Sequence, residues 1–253
     1  MPMIQLIGKL GRNDVKLIGR DRFLLFMFFF VLYLAVALRF GLPWANTYLA
    51  QQGVLPSETV AMNLADFYAL IVAWLVIFTG ALLAGTVFGF VLLDEKEDNT
   101  IKAMLVTPVP FHQYVMYRVG GPALLAFFIV VAQMLFINQA LVPLWQVLLI
   151  AAGASLAAPI AALFYATFAE NKVQGFAVSK FAGLAGWLII LGWFVAEPWQ
   201  WLFGLFPPFW ISKAYWMALE GQGLWWVALI AGMVLQAGLI LLLVQRFNKI
   251  AYR

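Results

Sequence analysis

The sequence predicts an all-α polytopic membrane protein of six transmembrane helices, with shorter helical segments at both faces. Three observations carry this. The 253 residues are 65% hydrophobic and only 10% charged, with a mean hydropathy of +0.96. A soluble core of that composition leaves too little polar surface to stay dispersed. Six apolar stretches each come near the roughly 20 residues needed to cross a ~30 Å hydrocarbon layer as a helix. The basic residues are also segregated. With the N-terminus inside, thirteen of the fifteen Lys and Arg fall at the inner ends of the spans, all but Arg39 and Lys213. The inverted orientation would reverse that ratio, against the positive-inside rule. The expected location is the cell's inner (cytoplasmic) membrane, multi-pass, with both termini cytoplasmic. The organisation is a single transmembrane domain over residues 1–253.

Residues 1–22 interleave Ile4, Leu6, Ile7, Leu10, Val15, Leu17 and Ile18 with Lys9, Arg12, Lys16, Arg20 and Arg22. This is the pattern of an amphipathic helix at an anionic cytoplasmic surface, with Gly11 a candidate break; a disordered basic tail is the alternative. Ala35-Val36-Ala37 ends the next apolar run and invites a signal-peptide reading. That run is at the upper limit for such a segment, and the basic region before it is unusually long.

The six spans occupy residues 23–245. The first is 23–42, followed by an outer loop holding Pro43, Trp44, Pro56 and Ser57. Asn63 and Asp66 have capping-box spacing and open the second, which runs to Leu93. It exceeds the hydrocarbon thickness, so it tilts or protrudes. The third covers 118–140, the fourth 144–168, the fifth 175–196 and the sixth 224–245, leaving a cytoplasmic tail at 246–253. Residues 197–223 are broken by Pro198, Pro207 and Pro208, yet too apolar and Trp-rich for an ordinary loop. They predict an outer re-entrant helical hairpin. Nine of the eleven Trp residues fall at the outer interface as an aromatic belt.

Between spans 2 and 3 lies the densest charge in the chain: five of the six residues from Asp94 to Asn99 are charged. A short amphipathic helix follows, with Asp98 or Asn99 able to cap it. Ile101, Met104 and Leu105 share one face at i, i+3 and i+4, and Pro108 and Pro110 stop it. Two turns of helix do not hold themselves in water, so the segment needs a surface to lie on. A solvated connector between spans is the plainer reading.

Several chemistries lack support. There are no cysteines, which excludes disulfides and thiolate chemistry. His112 stands alone, and neither G-x-S-x-G nor H-E-x-x-H occurs. No ionisable residue falls near the middle of a span, which argues against an ion-coupled carrier. The net charge of +4 reflects the basic inner loops rather than nucleic-acid binding. Gln133 and Gln236, at mid-depth in spans 3 and 6, are candidates for a translocation path; such groups more often hydrogen-bond between helices.

The order of acidic cap, short apolar face, Thr-Pro stop and basic Arg118 resembles the ABC type 2 transporter permease family. The residues that carry the likeness are Glu95, Lys96, Glu97, Asp98, Thr100, Ile101, Leu105, Thr107 and Pro108, with Asn13-Asp14 to Arg20-Asp21 ahead of span 1. Asn99 stands where Gly is usual, a position Asn tolerates, and Lys102 where an acid is common. Within that family the pattern is closest to bacterial drug-export permeases of the fluoroquinolone export type. The resemblance implies that the short helix is a cytoplasmic coupling helix, with Glu95, Glu97, Asp98, Thr100, Ile101, Met104, Leu105, Thr107 and Pro108 forming the partner-binding segment. It implies a transport subunit, not an enzyme, with no cofactor of its own. The phosphate-binding loop G-x-x-x-x-G-K-[ST] is absent, so ATP and Mg would sit on a separate cytosolic ABC ATPase subunit, present in two copies. A second permease chain, identical or homologous, completes the exporter, and the cargo is an amphipathic drug or lipid taken from the bilayer. The alternatives are a non-transporting membrane assembly or immunity factor and, third, an ion-coupled secondary transporter.

Overall fold

The computed structural model describes residues 3–52, 64–105 and 110–251. Among them every regular element is helical. In chain order these are α1 (Met3–Arg20), α2 (Arg22–Leu49), α3 (Leu64–Glu97), α4 (Thr100–Leu105), α5 (Phe111–Ile137) and α6 (Leu144–Phe168), then α7 (Lys172–Phe194), α8 (Pro207–Leu219) and α9 (Trp225–Ala251). A 3₁₀ turn at Trp199–Leu205 precedes α8. Six of the helices, α2, α3, α5, α6, α7 and α9, are long and apolar enough to cross a membrane.

Several expected boundaries move, and the last helix runs on past 245 to Ala251. Span 1 continues through Pro43 because the backbone widens into a π-type turn at Ala37–Gly41 just before it, which accommodates the donor that proline lacks. Span 3 begins at Phe111 rather than at Arg118, so Arg118 lies inside the helix. Asn63 and Ser57 lie outside the described residues. In α3 a second π-type stretch, Val72–Phe78, ends at Thr79, whose backbone N–H and Oγ1 (2.8 Å) both donate to the Trp74 carbonyl. In hydrocarbon such a carbonyl needs a partner from within the chain.

The centre of the molecule is the α3–α6 pair. Gly85 and Gly89 of α3 lie against Ala158, Ala161, Ala162 and Tyr165 of α6. A Cβ on Gly85 would stand 2.3 Å from the Ala158 carbonyl oxygen, so only glycine permits this approach. Small residues four apart are the usual device for close helix contact in lipid. Thr86 Oγ1 and Tyr165 Oη, 3.1 Å apart, add a hydrogen bond across the seam. The apolar stretch of α6 is 67% buried, whereas those of α2 and α7 are 22% buried and lie at the periphery.

α1 is a single helix, unbroken at Gly11. Leu10, Leu17 and Ile18 turn inward onto the spans, and Lys9, Arg12, Lys16 and Arg20 outward. That packing outweighs the cost of an interior glycine, about 0.5–1 kcal/mol. At the opposite, Trp-rich end, α8 is largely buried against its neighbours, while Trp199, Trp201, Leu202 and Leu205 before it are exposed. Trp193–Trp216, Trp201–Trp210 and Trp145–Trp225 form ring pairs there.

Candidate functional site

The charged run Asp94–Glu97 is the last turn of α3. Successive residues on a helix point 100° apart, so four in a row face four directions, and between them they meet α5, α6 and, twice, the start of α7. Asp94 Oδ1 pairs with Lys172 Nζ of α7 at 2.8 Å. Glu95 receives Arg118 Nη2 of α5, and Tyr114 Oη donates to its Oε2 at 2.5 Å. Lys96 Nζ donates to the carbonyls of Ala166 and Ala169, at 3.2 and 2.8 Å, where the C-terminal groups of α6 lack helical partners. Glu97 Oε1 accepts the backbone N–H of Lys172, at the N-terminus of α7, at 2.6 Å.

Arg118 ties this turn to α1. Its Nη1 donates to Asp14 Oδ2 at 2.8 Å, and Tyr117 Oη donates to the same oxygen at 2.7 Å. The guanidinium lies over the rings of Tyr114 and Tyr117, 5.4 and 5.3 Å from their centres. Arg118 is wholly buried and Glu95 is 5% exposed. Burying such ions gains little net stability, but removing one partner leaves an uncompensated charge. The junction of α1 and α2 is fastened too. Asp21 caps α2, accepting the N–H groups of Phe23 and Leu24, while its other oxygen takes Lys172 Nζ at 2.7 Å. Burial alone would raise the Asp21 carboxyl; the Lys172 bond and the two N–H groups outweigh it and hold it below its ordinary value.

After Asp98 the chain turns at Asn99, whose φ of 56° lies in the left-handed region that Asn tolerates. α4 then lies back on its own chain. Ile101 is buried in the same cluster as Leu92, Tyr114, Val115 and Phe247, and Met104 packs half-buried against it. Among the described side chains of the turn, Glu97, Asp98, Asn99, Thr100 and Ala103 are exposed. Glu95, Ile101 and Met104 face the chain's interior, because the end of α5 and α9 offer the apolar surface that a two-turn helix needs. Thr107 and Pro108 lie outside the described residues, as does the side chain of Leu105.

The two glutamines hold helices together. Gln133 Nε2 donates to the Val31 carbonyl of α2 at 3.0 Å, and Gln236 Nε2 to the Gly153 carbonyl of α6 at 3.1 Å. Among the described residues no three His, Cys, Asp or Glu side chains gather as a metal site. Sequence reasoning did not assign Asp14, Tyr114, Tyr117, Arg118 and Lys172 to the site. One signal was available: Asp14 falls between Leu10 and Leu17 on the apolar face of an amphipathic helix, where an acid needs a partner.

A family model described as "Fluoroquinolones export permease protein Rv2686c-like" matches residues 14–244, from Asp14 into the last span. The chain belongs to this family. Among curated proteins, the fluoroquinolones export permease proteins MT2760 and Rv2686c of Mycobacterium tuberculosis (strains CDC 1551 / Oshkosh and ATCC 25618 / H37Rv) are each 30% identical over 250 residues. The match covers 96% of this chain and 94% of each relative. No solved structure matches. The Rv2686c-like chain is thus a multi-pass membrane permease, with its charged fastening inside the matched region.

Proposed function

We propose that this permease is the membrane subunit of an ATP-driven exporter of amphipathic drugs, of the kind named in its relatives. It works in the inner membrane with both termini cytoplasmic. Two permease chains pair, and two cytosolic ABC ATPase subunits, which carry ATP and Mg, dock against α4. The carrying observation is mechanical: a short turn that exposes Asp98, Asn99, Thr100 and Ala103 stands directly on a helix end bonded to α5, α6 and α7 and, through Arg118, to α1. A push on that turn therefore moves four elements at once rather than bending a loop. Docking uses the polar side of α4, around Asp98, Thr100 and Ala103, while Ile101 anchors the turn to its own chain.

The test is co-purification of the candidate ATPase with tagged permease, followed by ATP-dependent drug movement in vesicles. Ala103→Arg alters only an exposed position and should abolish ATPase capture without changing the permease's melting temperature. Wild-type levels of ATPase capture and transport in that variant would remove α4 as the docking turn.

A further inference from the structure

A cavity of about 450 Å³ lies between α1, α2, α3 and α5. That is within the roughly 300–1,000 Å³ of clefts that hold drug-sized molecules. One face of α1 forms a wall, with Gly11, Asp14, Val15, Ile18 and Gly19 at i, i+3, i+4, i+7 and i+8. Phe28, Phe88 and Tyr117 bring aromatic rings to it. It is open beside Val15, which is 71% exposed, and its deep side is the buried pair Val87 and Phe88.

The wall is apolar with one exception, Asp14. Its Oδ2 has two donors, whereas Oδ1 is buried without a partner. The buried cluster to which it belongs sets two carboxylates, Asp14 and Glu95, against one guanidinium, Arg118. A mostly apolar space beside excess negative charge favours a cation and repels an anion. Aromatic faces add to that preference.

We propose that this cavity binds amphipathic organic cations, with the apolar body among Phe28, Phe88 and Tyr117 and the positive charge at Asp14. This rests on the exporter reading for its purpose, and it assigns that reading a charge class of cargo and a site.

The test uses the purified full chain in detergent, without ATPase. Radiolabelled tetraphenylphosphonium and its anionic isostere tetraphenylborate are measured by equilibrium dialysis. The cation should bind, and the anion should bind at least tenfold more weakly. Gly11→Leu and Gly19→Leu should weaken cation binding about tenfold or more, since both fill the cavity without displacing protein: an added Cβ meets nothing at Gly19, and only Tyr117 Oη at 3.5 Å at Gly11. Asp14→Asn should weaken it similarly and erase the preference for the cation. No binding of the cation, equal binding of both ions, or unchanged affinity in both leucine variants overturns the proposal. Wild-type ATPase co-purification, measured on the same preparations, separates the two ideas. If it persists without cation binding, the cavity is lost and the exporter reading stands; cation binding without ATPase capture leaves the cavity and removes the exporter.

Discussion

Arg118→Met is the sharpest probe of the fastening. It keeps a long apolar side chain while removing the cation that faces Asp14 and Glu95. Taking one partner from a buried ion pair costs roughly 3–5 kcal/mol, because the remaining charge has neither water nor counter-ion. For a chain of this size about 2–4 °C is lost per kcal/mol. The melting temperature in detergent should therefore fall by about 6–20 °C. If the cause is the orphaned charge rather than lost packing, neutralising the acids as well should restore it. The triple variant Asp14→Leu, Glu95→Leu, Arg118→Met should melt near wild type, as apolar replacements of buried ion clusters often do. Lys172→Met, which removes a cation from a partly exposed site, should cost only about 0–1 kcal/mol. A single Arg118→Met variant melting within about 2 °C of wild type, or a triple variant melting below the single one, would refute the reasoning.

Three further outcomes are expected. Gly85→Val should lower the melting temperature by several degrees, since its Cβ meets the Ala158 carbonyl at 2.3 Å and overpacking costs about 1–3 kcal/mol; Gly183→Ala, which faces open space, should not. Because the Asp21 carboxyl is held below its ordinary value of 3.8, its contribution is complete above that pH and is lost as pH falls through the lower folded value. Asp21→Asn should therefore flatten the acid side of the melting-temperature profile below about pH 4 while keeping the helix cap, and an unchanged profile would count against it. In this cysteine-free chain, a cysteine at exposed Glu170 should be shielded from an impermeant maleimide in intact cells and one at exposed Gln222 labelled; the reverse pattern overturns the orientation.

The spans were legible in the sequence because lipid imposes a length and a composition on each. Their ends were less so. Hydropathy missed the first two turns of α5, since His112, Gln113 and Tyr114 are helical without being apolar, and it stopped α2 short of Pro43 because a widened turn leaves no mark in composition. The same limit explains the site. Asp94, Glu95, Lys96 and Glu97 were visible as a charged run, but their partners Lys172, Arg118, Ala169 and the N–H of Lys172 are 23 to 78 residues away along the chain or belong to the backbone. Local periodicity placed Ile101 and Met104 correctly on one face, yet it could not say whether that face met another protein or the chain's own α5 and α9. Arg39 and Lys213, the two exceptions to the charge rule, are likewise explained by distant partners: Arg39 Nη1 donates to the Ile137 carbonyl at 3.1 Å, and Lys213 pairs with Glu197 and Gln200.

The four-way divergence of Asp94 to Glu97 also constrains how the gene can change in length. One residue inserted between Leu93 and Asp98 would rotate every later side chain by about 100° and advance it by 1.5 Å. The carboxylate meant for Arg118 would then face α6, and the ammonium meant for the end of α6 would face α7. Four inserted residues leave a residual twist of only about 40°, and seven about 20°. Those insertions would still advance the charges by about 6 and about 10.5 Å, past their partners, so natural chains built on this plan should keep the length of this turn.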